Sequence, residues 1–104
     1  MNAREMLPEI KSRLEEAYGQ RLRGVVLYGS QARGDARPDS DIDILVLLDG
    51  PVQDWVDLRR ATDAIYPLIL QHGVIIDAHP VDAELFDQKE SPLYALAYRE
   101  GIRV

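Results

Sequence analysis

The chain has 104 residues, a length for one domain spanning 1–104, and a core that is feasible but modest. It contains no cysteine and only two histidines, His72 and His79, which excludes disulfides and thiolate metal sites and argues against a histidine zinc site. Its 12 basic and 18 acidic residues leave a net charge of −6, the opposite of the basic face that a long nucleic-acid substrate calls for.

The amino terminus is charged throughout, with no apolar signal region, and no stretch approaches the roughly 20 apolar residues that span a bilayer. The cytoplasm is therefore the expected location. Residues Ala3 to Tyr18 read as a helix, with Leu7, Ile10, Leu14 and Ala17 on one face. Pro8 would disturb a long helix and suggests a start nearer to itself, and Gly19 is a stop. The run Val25–Tyr28 reads as a buried strand that Gly29 and Ser30 end. QARG then reads as the first turn of a short helix and DARPDS as a loop. IDILVLL, residues 42–48, is apolar on both faces, as a central strand is. Asp49-Gly50-Pro51 ends it, and Asp54 can cap a helix to about Gln71. Pro67 predicts a kink or an early end there, with Gly73 as a C-cap. GVIIDAHPV, residues 73–81, reads as a third strand stopped by Pro80, and Ala83 to Gln88 as a helical turn. A last helix is capped by Ser91, opens on Pro92 and ends at Gly101. Three strands with intervening helices predict an α/β domain.

Three features carry chemistry. Asp41 and Asp43 are two apart, so on a strand they point to one face, about 6.6 Å apart along the chain. Two carboxylates so placed suit Mg²⁺, which prefers oxygen ligands shared with substrate phosphates, and two such ions about 3.5–4 Å apart clamp an in-line displacement. The bland alternative is a pair of aspartates capping a strand. Against it, Asp43 sits inside an apolar run, where an unpaired carboxylate is expensive. Gly29-Ser30, between a strand and a helical turn, can offer backbone N–H groups and a hydroxyl to phosphate, although a plain turn explains the pair equally well and no P-loop pattern is present. Asp77 is the one acid in the run Val74–Ala78 and could add a third carboxylate and a base; alone it reads as an edge-strand acid facing water.

Together these form GSx₁₀DxD, which resembles the signature of the polymerase-β-like nucleotidyltransferases. The fuller string GSQARGDARPDSDIDILV resembles their minimal nucleotidyltransferase group, densely from Gly24 to Leu48, and the late Asp77 strand and the SPLYALAYREG helix extend the likeness over most of the chain. The resemblance implies a small mixed β-sheet flanked by helices. It implies that Gly29 and Ser30 hold the β- and γ-phosphates of ATP, that Asp41 and Asp43 bind two Mg²⁺ ions, and that Asp77 is the third carboxylate. Arg33 and Ser40 stand at recurring positions of the motif. Arg33 would neutralise phosphate charge, unless it pairs with Asp35, Asp39 or another acid, and Ser40 would donate to phosphate or cap the loop. Gln31 replaces a residue that is basic in many relatives, which implies weaker phosphate or acceptor contact. The resemblance further implies transfer of AMP to a hydroxyl of a partner protein, with this chain as antitoxin to a HEPN-domain toxin; the rival is a module that masks its partner without chemistry, or transfer to a small molecule or RNA end. A homo- or hetero-oligomer fits either.

His79 shares the Asp77 face by spacing but reads as a half-exposed strand histidine. Tyr94 and Tyr98 make an apolar stripe with Leu93 and Ala97 that reads as core, as do Trp55 and Tyr66; exposed, such aromatics would point to a partner.

Overall fold

A computed structural model describes residues 2–34 and 40–104. The elements are α1 (Ala3–Tyr18), β1 (Leu22–Tyr28), α2 (Ser30–Arg33), β2 (Ile42–Leu48), α3 (Asp54–His72), β3 (Ile76–Asp82), α4 (Ala83–Asp87), α5 (Pro92–Glu100) and β4 (Ile102–Arg103), with a 3₁₀ turn at Gly19–Arg21. The sheet order is β3-β2-β1-β4, a mixed sheet: β1 is antiparallel to β2 and β4, and β2 is parallel to β3 across the α3 crossover. No described helix is long and apolar enough to cross a membrane.

Side chains alternate between the two faces of each strand. Val25, Leu27, Ile42, Ile44, Val46, Ile76 and Ala78 meet α1 and α3, which bury Met6, Ile10, Leu14, Ala61, Ile65 and Leu68 against them. On the other face Val26, Leu45, Leu47 and Val81 pack under Phe86 of α4 and Ala97 of α5. The long helices thus cover one face completely, while two short helices cover only part of the other.

Local chemistry corrects several boundaries. The first helix starts at Ala3, not near Pro8, because the Asn2 side chain accepts the Glu5 N–H at 2.9 Å and caps it there. Pro8 is exposed in the second turn, where only one backbone hydrogen bond is forgone. Asp54 is the first residue of α3 and not its cap; Gln53 holds that place, and its N–H donates to Asp57 Oδ2 at 2.8 Å. The helix runs through Pro67 to His72 and ends on Gly73 at φ +66°, as expected. The third strand begins at Ile76 and passes through Pro80, which an edge strand tolerates because its missing N–H can face away from the sheet. The fourth strand was not predicted: two residues carry no alternation signal, and β4 exists through its pairing, Val104 N–H to Val25 O at 2.9 Å and the reciprocal bond at 3.1 Å. The expected loop at 35–39 lies outside the described residues.

Candidate active site

Asp43 sits one residue into β2 and, by alternation with Ile42 and Ile44, faces the side carrying α4 and α5. Its register partner on β1 is Tyr28 and on β3 is Asp77. Tyr28, Asp43 and Asp77 therefore form a row across three adjacent strands, at the end where β1 stops and β2 and β3 start. In-register neighbours stand about 4.8 Å apart, so the carboxylates of Asp43 and Asp77 share one small volume. Asp41 lies exposed just before β2 and adds its charge to this end. At one end of the row Tyr28 packs against the cluster of Phe86 and Ala97, and at the other the Asp77 side chain is half-exposed.

Electrostatics record the crowding. Partial burial pushes the Asp43 carboxyl above its ordinary pKa, with Asp77 and then Asp41 adding to the rise and His79 opposing it. Burial also raises the Tyr28 phenol, followed by the charges of Asp43 and Asp77. His79, two residues beyond Asp77 on the same face, places Nε2 3.4 Å from Asp77 Oδ1. Among the described residues, no three ligating side chains already close on a common point. The donor set nevertheless fits a hard divalent cation: only oxygen ligands, like-charged, partly desolvated and adjacent. A cation would relieve the strain that raises Asp43.

Raised in the folded state, the Asp43 pKa makes a stability contribution present below the unfolded carboxylate pKa and lost as pH rises through the folded value. Asp43→Asn is therefore expected to melt at a higher temperature than the wild type at neutral pH without metal, the gain shrinking as pH falls through the carboxylate range; equal melting at neutral pH would contradict the crowding.

Gly29 supplies the other half. It sits at φ +77°, and a Cβ there would stand 3.1 Å from Asp43 Oδ2, so both backbone and contact demand glycine. Gly29 precedes α2, whose first N–H groups have no intrahelical acceptor. The turn and the Asp43 carboxylate thus lie side by side, with no room between them for a larger side chain.

Of the remaining expected residues, Arg33 Nη1 lies 4.0 Å from Glu100 Oε2, and Asp35 and Asp39, its other anticipated partners, fall outside the described residues. Ser40 is half-buried, and its carbonyl accepts the Gln31 amide at 3.1 Å. Gln31 thus ties α2 to the chain just before Asp41, a positioning role that its side-chain chemistry alone did not reveal. Gln31→Ala is expected to change stability by no more than about 0.5 kcal/mol while raising the KM for nucleotide; unchanged KM would remove this role. Tyr28 was also missed as a member of the row. Its signal was present: it directly precedes Gly29, so antiparallel pairing of the first two strands sets it beside Asp43.

A groove of about 610 Å³ lies between α1 and α3 on the opposite face. It holds no carboxylate row and no glycine turn, so chemistry and not volume locates the site.

A glycine turn beside an acidic row at the open end of a mixed sheet suits phosphoryl or nucleotidyl transfer. Residues 7–98 match the nucleotidyltransferase domain family, and the chain belongs to that family; it is a nucleotidyltransferase. A Methanocaldococcus jannaschii protein provisionally named a protein adenylyltransferase is 37% identical over 89 residues, covering 86% of this chain and 83% of that protein. A second protein of the same organism, with the same provisional name, is 29% identical over 68% of this chain and 49% of its own length. Two crystal structures share the fold: a toxin–antitoxin with AMP-PNP, at TM-score 0.62 and 20% identity, covering 92% of this chain and 69% of that one, and a provisionally assigned nucleotidyltransferase from Sulfolobus solfataricus, at TM-score 0.56 and 24% identity, covering 95% and 78%.

Proposed function

We propose that this nucleotidyltransferase uses Mg²⁺ and ATP to move AMP onto a hydroxyl of a partner protein, the hydroxyl oxygen bonding to the α-phosphorus as pyrophosphate leaves, and that it serves as the antitoxin of a HEPN-type toxin. The observation that carries the chemistry is the pairing of Asp43 with Asp77 across parallel strands, with Asp41 two residues before Asp43 and Gly29 beside Asp43. Asp41 and Asp43 would hold two metal ions, and Asp77 would be a third ligand and take the proton of the acceptor hydroxyl. Gly29 and Ser30 would receive the β- and γ-phosphates, Arg33 would offset phosphate charge, and Ser40 would donate its hydroxyl to phosphate. Mg²⁺, when bound, neutralises charge developing on the phosphoryl oxygens. The provisional name of the M. jannaschii relative supports a protein acceptor, and the toxin–antitoxin with AMP-PNP supports the biological setting and the donor. The open end of the sheet suits a large acceptor.

The test is co-expression with the HEPN-type toxin. The reading predicts rescued growth and an AMP adduct on a toxin hydroxyl, both lost with Asp41→Ala/Asp43→Ala. Rescue without an adduct, retained by that variant, would replace transfer by masking.

A further inference from the structure

The outer face of α3 is apolar where a surface helix is ordinarily polar. Trp55 is 84% exposed, Tyr66 53% and Leu70 66%. With Arg59 and Thr62 between them, steps of three and four residues place all five on one stripe of the helix. Neither the catalytic row nor the core uses them. The stripe borders the 610 Å³ groove, whose walls include Val56, Arg60 and Pro67 of α3 and Arg13 of α1. Arg59 has only an exposed contact with Asp63 at 4.0 Å, and such pairs hold a side chain weakly.

We propose that this stripe is a homodimer interface, occupied by α3 of a second copy running antiparallel. The argument is self-complementarity. A two-fold axis passing between Thr62 and Asp63 sets Trp55 against Leu70 of the second copy and Arg59 against its Tyr66, and the same pairs recur on the other side. An isologous interface needs this property: one stripe that matches itself reversed. The large apolar ends cover one another, the two guanidinium groups lie over phenol rings, where cation–π attraction replaces a weak exposed ion pair, and the small Thr62 stands at the axis, where two helices approach most closely. A chain of net charge −6 does not associate through general attraction, so local matching must supply it. Because α3 covers the face of the sheet opposite the carboxylate row, the dimer leaves both catalytic ends outward. The inference is independent of what the enzyme modifies.

The experiment is sedimentation of the full chain over a concentration series, with fluorescence of Trp55, the one tryptophan, on the same samples. A monomer–dimer equilibrium is expected, with the Trp55 emission shifting to the blue as dimer forms. Leu70→Glu should weaken the dimer by at least about tenfold while melting like the wild type, since the residue is exposed. Thr62→Cys, in a chain without other cysteines, should give a disulfide-linked dimer on mild oxidation. A monomer up to about 1 mM, or a dimer that Leu70→Glu leaves unchanged and Thr62→Cys does not cross-link, would overturn the proposal.

Discussion

Asp43→Ala is expected to lower kcat for nucleotidyl transfer by at least about 10³-fold, and Asp41→Ala to do the same. On the proposed function, both changes would remove an oxygen ligand from the place where phosphate charge must be neutralised. Neither removes packing that the fold needs: Asp41 is exposed, and Asp43 is held at a raised pKa first by burial and then by its acidic neighbours, so the fold gains when its charge is lost. The diagnostic is therefore opposite signs, with activity collapsing while thermal stability holds or rises. A variant that loses activity and melts early would make Asp43 a structural residue. Residual transfer within about tenfold of wild type would place the chemistry elsewhere.

The second large effect concerns stability. Asp57, on α3, is 1% exposed. Arg21 grips it with two bonds, Nη1 to Oδ1 at 3.0 Å and Nη2 to Oδ2 at 3.2 Å, and the Gln53 N–H makes a third at 2.8 Å. The Tyr18 hydroxyl donates to the Asp57 carbonyl, and its own pKa is pushed up to about 12, first by burial and then by the Asp57 charge. Arg21 also lies over the Tyr18 ring at 5.8 Å. The end of α1, the start of β1 and the start of α3 meet at this cluster. Arg21→Ala would strand a buried carboxylate, and a cost of about 3 kcal/mol follows, low in the usual range because the guanidinium is partly exposed. For a chain of this size that lowers Tm by roughly 10–20 °C. The pH dependence has a fixed sign. Arg21 holds the Asp57 carboxyl below its ordinary pKa, so the pair stabilises above the unfolded carboxylate pKa and the contribution is lost as pH falls through the folded value. Wild type and Arg21→Ala should converge in acid and diverge toward neutral pH. A constant difference across that range would contradict the ion-pair account.

The sequence pattern exposed the central strand because IDILVLL is apolar on both faces, and it exposed the site because three aspartates interrupt or border apolar runs at Asp41, Asp43 and Asp77. Their pairing was beyond its reach: register between β2 and β3 depends on how α3 returns the chain, and only that return sets Asp77 beside Asp43. The same limit hid Tyr28, a residue that reads as plain strand until its neighbour is known. The Arg21–Asp57 anchor spans 36 residues and has no local signature at all. Trp55 and Tyr66 read as core because aromatics at helical spacing usually are, and the structure instead turns them outward. Pro80 misled because its lost hydrogen bond costs little on an edge strand, and Pro8 and Pro67 misled because helices held by buried faces, Leu7, Ile10 and Leu14 in one and Ala61, Ile65 and Leu68 in the other, run on through a proline.

The most direct measurement supplies ATP labelled at the α-phosphate, Mg²⁺ and a HEPN-type toxin as the proposed acceptor, and follows covalent label. The account predicts label on the toxin with the wild-type protein, and none with Asp41→Ala/Asp43→Ala or after chelation of the metal. Label that persists in the double variant, or a wild-type protein that binds the toxin tightly and never labels it, would contradict it.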